Sequence, residues 1–65
     1  MRKAERKLLE DRIIKRITRD GPFLTRELAD YFGMGVSTID QLLNRLVREG
    51  RIAREGTHRI LWKEK

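Results

Sequence analysis

A chain of 65 residues with no cysteine and a single histidine, His58, has neither a disulfide nor a zinc site to hold it together. Domains this short bury only roughly 60% of the surface their unfolded chains expose, and many add a covalent or metal staple for that reason. Here one apolar core has to suffice. The length is that of one domain, residues 1–65. Its fold must therefore be written in how the apolar residues are spaced.

That spacing is helical over most of the chain. Leu9, Ile13 and Ile17 recur every four residues, and Ile14 widens the stripe, so a first helix is expected from about 3 to 19. Arg12, Lys15, Arg16 and Arg19 fall on its far side, with Leu8 among them. Asp20-Gly21-Pro22 should end it, since glycine permits a left-handed turn and proline cannot continue a helix. Phe23-Leu24 reads as a short extended piece. A second helix is expected over about 26–32, capped by Thr25, with Leu28, Ala29 and Phe32 inward. Gly33-Met34-Gly35-Val36 makes a tight connection. A third helix, about 38–49, carries Ile39, Leu42, Leu43, Leu46 and Val47 on one face, and Gly50 should stop it. Ser37 with Asp40 three residues on has the pattern of a capping box.

After Gly50 the pattern alternates. Residues 51–55 and 59–63 flank Gly56-Thr57-His58, a hairpin signal. A two-residue turn would set Arg54 opposite Arg59, an unfavourable pairing. A three-residue turn would set Glu55 opposite Arg59 and Ile52 opposite Trp62, and is the better of the two. The expected class is thus mainly α with a small β-hairpin, an α+β fold.

Charge narrows the choice of partner. Sixteen Lys and Arg against ten Asp and Glu leave a net +6, which points to a polyanion, nucleic acid before an acidic membrane surface. Residues 1–19 hold eight basic and three acidic groups, residues 20–36 one and three, and residues 37–65 seven and four. The positive charge brackets an acidic centre. No apolar run approaches the roughly 20 residues of a membrane span, and no signal-peptide core follows the basic N-terminus. A soluble, cytoplasmic protein is the expectation. No nucleophile–base pair, metal-ligand cluster or phosphate-cradling loop is present, so neither an enzyme, a cofactor, a metal nor a small-molecule ligand is expected.

The segment from Thr25 to Leu46, TRELADYFGMGVSTIDQLLNRL, resembles the core of winged helix-turn-helix domains. Leu28-Ala29, Gly33, Val36, Ile39 and Leu42-Leu43 stand where that family packs its two helices. LVREGRIAR, from Leu46 to Arg54, looks like its passage from recognition helix into wing, here about 51–63. Among stand-alone members the chain is most similar to small bacterial transcription regulators of the FaeA-like fimbrial-operon type, and next to the Feo-type iron-transport regulators, whose cysteine cluster it lacks. GRIAREG and Leu61-Trp62-Lys63 also resemble the winged helices that bind left-handed DNA. Asp40 and the proline-free wing depart from that family's pattern, and its specific activity is rejected. The resemblance implies a three-helix winged helix-turn-helix that regulates transcription.

A helix fits the major groove of double-stranded DNA, where its outward side chains reach base edges. With the apolar face of the third helix inward, Ser37, Gln41, Asn44, Arg45 and Arg48 are the candidates there. Gln and Asn match adenine, and Arg matches guanine or a phosphate. Arg54, Thr57 and Arg59 at the wing suit backbone or minor-groove contact, and His58 reads equally well as a solvated turn. Asp40 would repel phosphate and is read as a cap, while Trp62, Tyr31 and Phe32 are read as packing, Phe32 the deeper. The basic first helix is either plain surface or a second phosphate strip, and Leu8 within it hints at a homodimer or a larger regulatory protein as partner. The rival function is a protein-interaction module that recruits a larger DNA-binding partner.

Overall fold

The computed structural model describes residues 2–57 and 60–65. Three helices and a small antiparallel sheet alternate as α1 (Lys3–Asp20), β1 (Phe23–Leu24), α2 (Thr25–Phe32), α3 (Val36–Arg48), β2 (Ile52–Glu55) and β3 (Leu61–Glu64). The class is α+β, mainly helical. The sheet order is β1-β3-β2, so the last strand lies in the middle and the extended piece Phe23-Leu24 is its far edge. Among the described residues no helix is long and apolar enough to cross a membrane.

The apolar stripes converge as their spacing requires. Ile13 and Ile17 of α1, Leu28 and Ala29 of α2, Ile39, Leu42, Leu43 and Leu46 of α3, Ile52 of β2 and Trp62 of β3 form the buried core. Leu9, Ile14, Phe23, Phe32 and Val47 pack partly buried around it. Tyr31 is exposed and meets Phe32 edge to face at 4.9 Å. Phe32 is the deeper of the two.

Glycine ends two helices in the same way. Gly33 (φ 64°) lets Met34 N–H reach Ala29 O at 3.0 Å, and Gly50 (φ 74°) lets Arg51 N–H reach Leu46 O at 3.0 Å. Both are left-handed caps that satisfy otherwise unpaired carbonyls. Gly21 does not follow the expectation. Its φ of −66° is not left-handed; glycine is needed because a Cβ there would strike the Ile17 carbonyl oxygen.

The helix starts also differ from expectation. Thr25 is not the cap of α2 but its first residue, and Leu24 holds the cap position. Glu27 Oε1 accepts the Leu24 N–H at 2.8 Å, so only the return half of a capping box exists. The Thr25 hydroxyl is engaged elsewhere, accepting the Trp62 indole N–H at 2.7 Å. For α3, Gly35 takes the cap position with no side-chain bond, and Ile39 N–H reaches the Gly35 carbonyl at 3.1 Å. The helix therefore begins two residues early, Ser37 lies inside its first turn, and the Ser37–Asp40 capping box does not form.

Neither expected hairpin register is adopted. Ile52 pairs with Glu64, Ala53 with Lys63, Arg54 with Trp62 and Glu55 with Leu61. Arg59, needed for both expected pairings, lies outside the described residues. The observed register keeps Ile52 and Trp62 on one face, both buried, but on a diagonal. It sets Arg54 across the Trp62 ring at 5.8 Å and brings Lys63 Nζ to 3.4 Å from Glu55 on the other face. The pairings Phe23–Trp62 and Leu24–Leu61 hold β3 from its other side.

The Trp62–Thr25 bond can be tested directly. Thr25→Val keeps the shape but leaves the indole N–H without an acceptor, which costs about 1–3 kcal/mol. Thr25→Ser should cost much less. Urea unfolding followed by Trp62 fluorescence would separate the two; equal midpoints for wild type and Thr25→Val would remove this bond from the account.

Candidate nucleic-acid interface

The leucine face of α3 decides what its other face presents. Ser37, Gln41, Asn44 and Arg48 recur at i, i+4, i+7 and i+11 and so form one row along the helix. Ile39, Leu42, Leu43 and Leu46 behind them are at most 6% exposed, which fixes the helix about its axis. Ser37, Gln41 and Arg48 are exposed and Asn44 is half-buried.

The row's members are not equally free. Asn44 Nδ2 donates to the Asp40 carbonyl at 2.9 Å and to its carboxylate at 3.2 Å, so the amide group is spent within the helix and its oxygen remains the open acceptor. Asp40, expected to cap the helix, instead orients Asn44. Arg45 lies off the row. Its Nε is 3.3 Å from Glu49 Oε2 and 3.9 Å from Glu10 Oε2. Two carboxylates thus offset its charge, and it is the least available of the expected contacts. Gln41 and Arg48 are bound by no other side chain among the described residues.

A groove of about 480 Å³ runs beside the row, between α3 and the first turns of α1. It adds Arg6 and Thr38 to Gln41, Asn44, Arg45 and Arg48. Neither Arg6 nor Thr38 was singled out by the sequence. The signal for Thr38 was its place three residues before Gln41 and seven before Arg45. For Arg6 it was the α1 stripe read backwards: Ile17, Ile13, Glu10 and Arg6 share a face, and the polar pair stands where the stripe runs past the end of the core. Arg6 Nε is buried and has no hydrogen-bond partner among the described residues.

The hairpin follows α3 directly, and β2 packs against it. Arg54 and Thr57 are exposed there. Arg54 shares the strand face of Trp62 and leans over its ring, while Thr57 lies in the loop after Gly56 (φ 95°). The expected site residue Arg59, and His58 beside it, lie outside the described residues. An ion pair between Arg51 and Asp11, 2.8 Å, ties the turn after α3 to α1. Such an exposed pair contributes about 0.2–1 kcal/mol, enough to orient the turn but not to hold the fold. The chain matches no protein family, no curated protein and no solved structure.

Among the described residues Glu10 is the one charged residue that is buried, 5% exposed, with Oε2 lacking a hydrogen bond. Desolvating a carboxylate usually outweighs what a distant, loosely aligned partner returns. Glu10→Met should therefore leave stability unchanged or raise it. The gain should stay within about 1 kcal/mol, the low end of the range for buried pairs, because Arg45 is 43% exposed. A clear fall in the urea midpoint would mean that attraction to Arg45 exceeds the desolvation cost.

Proposed function

We propose that this chain is a winged helix-turn-helix DNA-binding domain acting as a transcription regulator in the cytoplasm. α3 enters the major groove of double-stranded DNA, and the β2–β3 hairpin serves as a wing on the backbone or minor groove. The observation that carries this reading is the row Ser37, Gln41, Asn44 and Arg48, presented on one face of a helix whose opposite face is fully buried. A rigid helix with hydrogen-bonding and cationic groups along one edge suits base readout and phosphate contact together.

Three further features support it. α2 packs on α3 across the short Gly33–Gly35 link, the arrangement a helix-turn-helix needs. The net +6 is expected to draw the domain to a polyanion and to make binding salt-dependent. Arg6 extends the cationic edge from α1 beside α3.

Within this assignment the α3 side chains have distinct roles. Gln41 reads a base edge. Arg48 holds a phosphate or forks to guanine, Ser37 contacts backbone near the helix start, and Asn44 offers its carbonyl oxygen. Arg45 contributes little, because Glu49 and Glu10 already hold it.

Binding measured against salt tests these roles. Arg48→Ala should weaken binding to all duplexes and lower the salt slope by about 1. Gln41→Ala should relax preference at one base pair, worth about 1–3 kcal/mol, while Arg45→Ala should cost less than Arg48→Ala. If all three variants bound duplexes selected from a random pool as wild type does, α3 would not be the reading element.

A further inference from the structure

A second groove, larger than the one beside α3, lies between the C-terminal half of α1 and α2. Its volume is about 830 Å³, and none of its lining residues belongs to the groove along α3. Arg12, Lys15 and Arg19 form its α1 wall, and Tyr31 and Phe32 form the other side. Leu8, 62% exposed, precedes Arg12, Lys15 and Arg19 at the spacing i, i+4, i+7 and i+11, so an apolar group heads the cationic row. Tyr31, 59% exposed, is the apolar group facing it.

We propose that this groove docks an acidic amphipathic segment of a partner protein, with its carboxylates on Arg12 and Lys15 and its apolar side chains on Tyr31, Phe32 and, one turn before Arg12, the exposed Leu8. Charge complementarity selects that occupant. Arg12 and Lys15 have no carboxylate within ion-pair distance among the described residues, whereas Asp20 already engages Arg16 at 2.6 Å and Arg19 at 3.3 Å. The free cations thus face the aromatic side of the groove, the surface that an acidic helix or strand with apolar anchors would complement.

The alternatives fit less well. A duplex is too broad to enter a concave groove of this size. Single-stranded nucleic acid would need an open aromatic face for stacking, but the Arg16 guanidinium already lies 4.3 Å over the Tyr31 ring and 5.5 Å from the Phe23 ring. A two-fold dimer through this face would set the cations of one copy against those of the other. Of the three carboxylates in the acidic centre of a second copy, Asp20 is spent in the groove and Glu27 on the Leu24 N–H, which leaves Asp30 alone against three cations.

The test is an amide-shift titration of the whole chain with a short synthetic amphipathic peptide of Glu, Leu and Phe. Oligoglutamate, the Lys counterpart of the peptide and an oligothymidylate serve as comparisons. Saturable shifts at Arg12, Lys15, Arg19, Tyr31 and Phe32, tighter for the peptide than for oligoglutamate and absent for the Lys peptide, are expected. Arg12→Glu with Lys15→Glu should weaken binding by about tenfold or more, because charge-assisted contacts become repulsive. Both positions are solvent-exposed, so the unfolding midpoint should stay close to wild type. Gln41→Ala with Arg48→Ala should leave peptide binding unchanged, which keeps this inference separate from the α3 reading. Absence of shifts at millimolar peptide, equal binding of oligoglutamate, or tighter binding of oligothymidylate at these residues would each overturn it.

Discussion

Trp62 sits where the three strands, α1 and the start of α2 meet. It lies on the central strand, pairs with Phe23 on one side and Arg54 on the other, and donates its indole N–H to the first residue of α2. At 1% exposure it is also the largest fully buried side chain. Truncating a buried aromatic residue costs about 3–5 kcal/mol, and a single core in a chain of this length rarely supplies more than about 3–5 kcal/mol in total. One residue near the C-terminus therefore controls about as much free energy as the whole fold has to spare. The hairpin is a structural member, and whatever α3 presents depends on it.

That dependence explains which features were legible in the sequence. Faces were legible, because they follow from periodicity alone. Ile13 and Ile17, Leu28 and Ala29, and Ile39, Leu42, Leu43 and Leu46 of α3 are all buried, as is Trp62, which reads as packing, while Val47 is partly buried. Both positive-φ helix caps, Gly33 and Gly50, stand where glycine closes an element. Local hydrogen bonds were less legible, because a hydroxyl has more than one suitor. Thr25 looks like a cap to its neighbours, but a partner 37 residues away holds its oxygen. Ser37 lost the cap to Gly35, whose backbone starts the helix without any side-chain bond. The register failed for a related reason. Turn chemistry at Gly56 argues from the hairpin's two strands alone, whereas β3 is held on both sides, and its pairing with Phe23 and Leu24 is invisible in the hairpin's own sequence.

The candidate site divides along the same line. The row Ser37, Gln41, Asn44 and Arg48 was legible because it is the complement of the leucine face. Which of its neighbours are free to act was not, since that depends on Glu10, Glu49 and Asp40. Asn44 stands in one row with Arg48 and Gln41 on a helical wheel and Arg45 beside it, yet both are engaged by carboxylates once the chain is folded. Arg6 shows the opposite case. It continues a stripe whose next members are Glu10 and Ile13, and it is carried beside α3 because α1 outlasts the core beneath it.

The two grooves show how a chain of this charge avoids presenting one uniform basic surface. α1 carries cations on two faces, Arg6 on the line of its apolar stripe toward α3, and Arg12, Lys15 and Arg19 on the far side toward α2. Each set has carboxylates placed to moderate it, Glu10 and Glu49 at the first and Asp20 at the second. If charge alone governed binding, those carboxylates would only weaken it, and their positions would be arbitrary. They stand instead against particular arginines and leave Arg48 at one site and Arg12 and Lys15 at the other unopposed among the described residues. On the proposed reading, electrostatic attraction would bring a polyanion close, and the choice of free cations would decide where it is held. In a chain with no staple and one small core, selectivity of that kind has to come from pairing surface charges, because there is no further interior in which to build it.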